Sequence, residues 1–322
     1  MDSGLSEESE EDKNMVSASS PSFTGLLSTF RTVKYEHLVA GISGGVVSTL
    51  ILHPLDLLKI RFAVDDGSSN RAPYKGVKSA FATIIKTEGM SGLYRGVTPN
   101  TVGAGSAWGF YFLFYQTIKT EKQEGNSRTQ LTPTDHLVAA TEAGILTLAL
   151  TNPIWVVKTR LCLQYENKLN TKVDTTRHYT GMVDAFRKII KYEGVKGLYK
   201  GFTPGLFGVS HGAVQFMAYE ELKCKYNQYR KQPIDTKLST TEYLLFAAIS
   251  KFFAAVSTYP YQVIRARLQD ANCTYSGATD CIRQTVKKEG ISGLYKGMTP
   301  YLVHVMPNIC LVFLIYEKIT NG

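Results

Sequence analysis

The 322-residue sequence is basic, with 36 Lys and Arg against 27 Asp and Glu, and it is 44% hydrophobic. Its mean hydropathy of -0.09 has the value of a soluble protein, yet apolar runs recur at 38–52, 137–150 and 243–256; helices around a water-filled cavity are polar on one face, so the average does not exclude a membrane protein. Five cysteines (Cys162, Cys224, Cys273, Cys281, Cys310) form no CxxC pair and have no histidine at metal spacing, which argues against a zinc site or a disulfide framework. No Walker or dinucleotide glycine loop occurs and no nucleophile, base and orienting group recur together, which argues against an enzyme.

Residues 1–34 carry six acids against Lys13, Arg31 and Lys34, so this segment is at -3 and the rest of the chain at +12 within the total of +9. Acidic and Ser-rich, the segment reads as a disordered tail; it has neither the apolar core of a secretory signal nor the Arg-rich, acid-poor face of a transit peptide.

A fixed order of motifs then returns three times, about one hundred residues apart. The first copy reads Pro54-Leu-Asp-Leu-Leu-Lys59-Ile-Arg61, then Tyr74-Lys-Gly76, then Glu88-Gly-Met-Ser-Gly-Leu-Tyr94-Arg95-Gly96. The second has Pro153-Ile-Trp-Val-Val-Lys158-Thr-Arg160, Tyr179-Thr-Gly181 and Glu193 through Tyr199-Lys200-Gly201. The third has Pro260-Tyr-Gln-Val-Ile-Arg265-Ala-Arg267, Tyr275-Ser-Gly277 and Glu289 through Tyr295-Lys296-Gly297. The Tyr-to-Glu spacing is 14 in every copy, whereas the Pro-to-Tyr spacing varies as 20, 26 and 15, which confines insertions to one loop per unit. The units run over 35–125, 126–232 and 233–322.

Each unit has an apolar stretch before its proline and another after its Thr-Pro, giving six spans. Spans one, three and five start near Glu36, Thr134 and Thr241; spans two, four and six start near Val97, Phe202 and Met298. Between them Ser79–Lys86, Asp184–Ile190 and Asp280–Lys287 read as short amphipathic surface helices. Pro54, Pro153 and Pro260 would bend the odd spans at equivalent depths. A soluble helical solenoid would leave the charges beside each proline unexplained.

These residues resemble the mitochondrial carrier family, whose motif is Px[DE]xx[KR]x[KR] followed by [DE]Gx(4-5)[KR]G, over about residues 35 to 320. The resemblance implies an all-α membrane protein: six transmembrane helices in a pseudo-threefold barrel of three tandem two-helix repeats, with short surface helices on the matrix side. It also implies a monomer of the mitochondrial inner membrane that works by alternating access, with both termini toward the intermembrane space. A further family motif, [FY][DE]xx[KR], maps a cytoplasmic gate onto Gln116, Lys119, Glu220, Lys223, Glu317 and Thr320. Gln116 and Thr320 depart from it, leaving Lys119, Lys223, Glu220 and Glu317 for two ion pairs.

The matrix gate maps onto Asp56, Lys59, Trp155, Lys158, Gln262 and Arg265. Three bases face one acid, so the cavity floor is at +2, and uncompensated charge in a low-dielectric site is costly unless a ligand uses it. The expected closed contacts are Asp56 with Lys158, the Trp155 ring with Arg265, and Gln262 with Lys59. Small residues spaced for close helix approach occur as Gly41-xxx-Gly45 and Ala140-xxx-Gly144. The fifth span has Ala247-xxx-Lys251 instead, and Lys251 lies near the face of Arg265, 14 residues on. By resemblance the even-span substrate contacts fall on Gly103, Phe207 with Gly208, and His304. Gly103 leaves room, Phe207 could stack on a flat ring and His304 could hydrogen-bond it.

The Tyr94-Arg95-Gly96, Tyr199-Lys200-Gly201 and Tyr295-Lys296-Gly297 triplets, with Gly76, Gly181 and Gly277, sit at expected helix N-termini, where backbone N–H groups favour phosphate. The resemblance makes them cardiolipin sites. Trp155 in Asn152-Pro-Ile-Trp resembles the branch of the family that moves nucleotides, NAD, folate and FAD. Gln262 in Tyr259-Pro-Tyr-Gln, with the Ser210 to Glu220 segment, points within it to folate or FAD as cargo, with no prosthetic group. The alternative cargo is a pyrimidine nucleotide or NAD. A basic nucleic-acid-binding repeat protein is the reading from another class, but its charges should line an exposed face rather than flank apolar spans; no nucleic-acid partner is expected.

Overall fold

The structure is a computed structural model that describes residues 35–65, 74, 76–123, 132–164, 178–233, 236, 238–305 and 307. The acidic tail therefore lies outside the described residues, as do gate residues Glu317 and Thr320. Repeats one and two each contribute a long helix, a short helix and a second long helix; repeat three contributes a long helix, a short helix and, among the described residues, the start of a further helix. Repeat one holds α1 (Tyr35–Val64), α2 (Val77–Glu88) and α3 (Val97–Lys122). Repeat two holds α4 (Pro133–Leu163), α5 (Met182–Gly197) and α6 (Phe202–Tyr229). Repeat three holds α7 (Thr240–Gln269), α8 (Ala278–Glu289) and the helical residues 298–305, here α9. The described residues contain no strand.

Local chemistry accounts for the starts of these helices. Thr132 with Asp135 and Ser239 with Glu242 form reciprocal capping boxes at the heads of α4 and α7, satisfying donors that the first helical turn leaves free. Pro54, Pro153 and Pro260 each lie inside one long helix. At 26 to 31 residues, helices α1, α3, α4, α6 and α7 exceed the roughly 20 residues that cross a bilayer. Among the described residues Thr134–Leu163 is apolar enough to be recognised as a span by composition alone. The distribution of side chains speaks for the others: Leu50, Ile51, Phe216, Met217, Phe252 and Phe253 are exposed, whereas Arg61, Arg160 and Arg267 are buried. Apolar outside and charged inside is the arrangement of helices solvated by lipid.

The three proline helices α1, α4 and α7 touch one another, and α3 and α6 pack against α4 and α7 of the following repeat. The third copy closes the circle through Gly297, at φ +85°: a Cβ there would lie 2.6 Å from the Lys59 carbonyl of repeat one. Only glycine allows that approach.

A collar of ion pairs holds the short helices beneath this convergence. Arg61 donates to both Glu88 carboxylate oxygens at 2.5 and 2.9 Å. Arg160 pairs in the same bidentate manner with Glu193, and Arg267 with Glu289 at 2.6 and 2.8 Å. Each arginine also caps the next repeat. The Nε atoms of Arg61, Arg160 and Arg267 donate to the carbonyls of Cys162 (3.0 Å), Gln269 (3.2 Å) and Ala63 (3.0 Å), which end α4, α7 and α1 and have no helical donor of their own. The three repeats are thereby tied in a ring. Burial pushes the Glu193 carboxyl upward, but hydrogen bonds from Arg160 and Lys200 outweigh it and hold the group down at about 2. Glu289 is also lowered: burial opposes the shift, and Arg267 with Lys296 drives it.

Candidate functional site: the cavity floor

Above the collar, the residue two positions before each arginine turns to the barrel axis. Two residues on a helix subtend about 200°, so one strand of motif serves both sides. Lys158 Nζ lies 2.5 Å from Asp56 Oδ2, an ion pair between repeats two and one. Lys59 lies within electrostatic reach of Asp56, Lys158 and Arg265. Three bases and one acid meet at the floor.

Two expected gate contacts are replaced. Trp155 does not cover Arg265: Lys158 Nζ lies over its ring at 5.2 Å, and the ring lies across α3, with its edge carbons 3.4 and 3.5 Å from a Cβ built on Gly103. The absent side chain at Gly103 lets the indole lie back against that helix, away from Arg265. Gln262 does not hold Lys59 either. The Lys59 ammonium sits 4.1 Å from the centroid of Tyr301, and the Gln262 side chain lies near the same tyrosine's hydroxyl. Tyr301 comes between the two and supplies a cation–π contact where an amide was expected.

Arg265 instead donates from Nη2 to Asn152 Oδ1 at 3.2 Å. Its Nε is buried with no hydrogen-bond acceptor among the described residues. The guanidinium lies beside Gly205, where a Cβ would stand 3.5 Å from Cζ.

Seven residues beyond each basic-Gly pair the even spans place Gly103, Gly208 and His304 in one register. Gly208 faces Tyr261, whose ring atoms lie 2.8 to 3.0 Å from a Cβ built there. Phe207 is offset by about 100° on the helix and is 67% exposed, while Tyr261 stands against Gly208 at that level. His304 lies within electrostatic reach of Asp56, Lys59 and Lys158. On α3 the face of Gly103 continues through Ala107, Phe110 and Phe114 at helical spacing, and the two phenyl rings stack with centroids 6.2 Å apart. Lys251, two turns beyond Thr258 on α7, has no acidic partner among the described residues.

At the other end, Lys223 meets Glu220 of its own helix at 3.7 Å rather than a neighbouring span, and Gln116 is exposed. Among the described gate residues no ion pair joins two spans at this end, whereas Lys158 and Asp56 pair across repeats at the proline end. Gly144 abuts Val209, a Cβ there lying 2.9 Å from a methyl carbon, in line with close small-residue packing.

The Tyr-basic-Gly triplets precede α3, α6 and α9, and Gly76, Gly181 and Gly277 precede α2, α5 and α8. Their basic side chains turn inward: Lys200 and Lys296 each pair with the collar glutamate at 2.8 Å, and Arg95 donates to the Gln164 carbonyl at 2.7 Å. Anion-binding capacity at these turns accordingly rests on backbone N–H groups.

Three homologous helix pairs around a charged axial floor define a solute carrier. Residues 32–126, 129–230 and 236–322 each match the mitochondrial carrier protein family, and the chain belongs to that family, whose members are transporters. It is 40% identical to folate transporter 1, chloroplastic, of Arabidopsis thaliana over 89% of this chain and 94% of the relative. It is 33% identical to the mitochondrial FAD carrier protein FLX1 of Saccharomyces cerevisiae (89% and 96% covered). With nicotinamide adenine dinucleotide transporter 2, mitochondrial, of Arabidopsis thaliana, it shares 36% identity (86% and 77% covered).

Proposed function

We propose that the protein moves a large anionic, ring-bearing cofactor, a folate or FAD, across the mitochondrial inner membrane by alternating access between the two gates. The observation that carries this reading is the floor itself: Lys59 and Lys158 share one acid, Asp56, beside the rings of Tyr301 and Trp155, and Arg265, within reach of Lys59, adds a third base. A polyanion supplies the missing negative charge, and a flat heterocycle matches the aromatic walls at Trp155, Tyr261 and the Phe110–Phe114 stack. Lys251, one helix face above Arg265, gives a second cationic post for an elongated anion. The relatives named for folate and FAD transport support the same cargo; those named for NAD keep NAD as the second reading.

On this reading the chain is a monomer with both termini in the intermembrane space, cardiolipin sits on the backbone N–H groups of the glycine turns, and the end that carries Glu220 and Lys223 faces the cytosol. Purified protein in cardiolipin-containing liposomes should take up FAD or a reduced folate faster than NAD or UTP. Uptake of NAD or UTP alone would reject the cargo assignment.

A further inference from the structure

The residue immediately before each motif proline does the same job three times. His53, Asn152 and Tyr259 are each fully buried, and each bonds a carbonyl in the turn that precedes the even helix of its own repeat. His53 Nε2 meets Arg95 O at 2.9 Å, Asn152 Nδ2 donates to Leu198 O at 2.9 Å, and the Tyr259 hydroxyl donates to Lys296 O at 3.2 Å. A peptide carbonyl only accepts, which orients all three groups. The imidazole carries its proton on Nε2, leaving Nδ1 to accept from Asn100 Nδ2 at 3.2 Å. The Asn152 amide must point its nitrogen at Leu198 and its oxygen the opposite way.

The opposite way is Arg265. The strap of repeat two thus ends on a floor base of repeat three, whereas His53 ends on the neutral Asn100. Asn152 Oδ1 holds one edge of the guanidinium and Gly205, with no side chain, lies beside Cζ, while Nε has no hydrogen-bond acceptor among the described residues. A guanidinium fixed on one edge presents a planar fork of fixed direction, the geometry that recognises carboxylate or phosphate.

We infer that Asn152 is a positioning residue for cargo recognition: its amide, oriented by the Leu198 carbonyl, aims Arg265 at the anionic group of the substrate. The inference rests on the proposed role of Arg265 in binding the cargo. It also explains why repeat two carries asparagine where the other copies carry histidine and tyrosine. At His53 the second group meets a neutral amide of its own repeat; at Asn152 it must be an acceptor that meets a guanidinium of the next repeat.

The test is a double-mutant cycle on affinity, read as half-saturation of ligand-induced thermal stabilisation of the purified carrier. The probe is whichever of FAD, tetrahydrofolate, NAD and UTP the wild-type protein takes up fastest. Asn152→Ala should weaken half-saturation about tenfold, the effect of losing a hydrogen bond to a charged group. In an Arg265→Lys background the same change should add less than twofold. Asn152→Asp, which keeps an acceptor but places a carboxylate on Arg265, should weaken anion binding more than Asn152→Ala, and it carries the test if the alanine variant fails to insert. Unchanged half-saturation in Asn152→Ala or Asn152→Asp, or an equal loss from Asn152→Ala in both backgrounds, would overturn the inference and leave Asn152 a strap alone. If only NAD or UTP moves, the cargo proposal falls while the cycle still reads Asn152; no uptake of any of the four overturns both.

Discussion

The collar and the floor come from the same motif, two residues apart in each copy: Arg61 beside Lys59, Arg160 beside Lys158, Arg267 beside Arg265. The collar keeps threefold symmetry in residue type, partner and second hydrogen bond. The floor breaks it at every level, with Asp56, Trp155 and Gln262 as the acid-position residues, and Asn100, Gly205 and Tyr301 at one matching position of the even spans. Symmetry serves the requirement common to the three repeats, closing a ring of helices. Asymmetry serves a cargo that has no threefold axis.

Removing a floor base should have the largest effect on transport. Arg265→Ala and Lys251→Ala are expected to reduce proteoliposome uptake to background while the protein still inserts, and wild-type rates in either would remove that residue from the site. Collar changes should instead act on stability, and alike. Arg61→Ala, Arg160→Ala and Arg267→Ala each remove the bidentate partner of a collar glutamate and leave it only Arg95, Lys200 or Lys296, a loss of about 1.5–3 kcal/mol, so thermal unfolding should show three similar decreases. One silent arginine would break the symmetry claimed for the collar. Trp155→Ala should weaken cargo affinity several-fold, with a smaller loss of stability because Gly103 already leaves space at that point; unchanged affinity would make the indole a packing group.

The smallest effect is the pH response of the collar. Glu193 and Glu289 have folded values below the ordinary 4.5, so their contribution is complete above that value and is lost as pH falls from about 4.5 toward about 2. Thermal stability should be insensitive to these groups above pH 5 and decline below it. A loss attributable to Glu193, through Glu193→Gln, between pH 7 and 6 would contradict the assignment.

Much of this was legible in the sequence because it is local or repeated. The odd spans expected to start near Glu36, Thr134 and Thr241 start at Tyr35, Pro133 and Thr240, and the short helices contain the segments expected for them. What resisted reading depends on what stands opposite. Trp155 turns toward Gly103 because glycine leaves a hollow there, and Tyr301 takes Lys59 because it rises between the lysine and Gln262. Neither relation has a spacing in the chain. The collar partners were hidden for a related reason: the arginine and its glutamate are separated by the loop whose length differs in every copy. Tyr301 did leave one signal, since the same position is Asn100 and Gly205 in the other repeats, a break of symmetry of the kind that marks the floor.

The most direct test of the central claim, that uncompensated positive charge at an asymmetric floor selects the cargo, is uptake by the Gln262→Glu protein. The change restores an acid at the third gate position, keeps the side chain's shape, and reduces the floor from +2 to +1 by the count of Lys59, Lys158 and Arg265 against Asp56 and the new carboxylate. FAD or folate uptake should fall at least about tenfold, the loss of one favourable charge contact. Uptake at the wild-type rate would contradict the account.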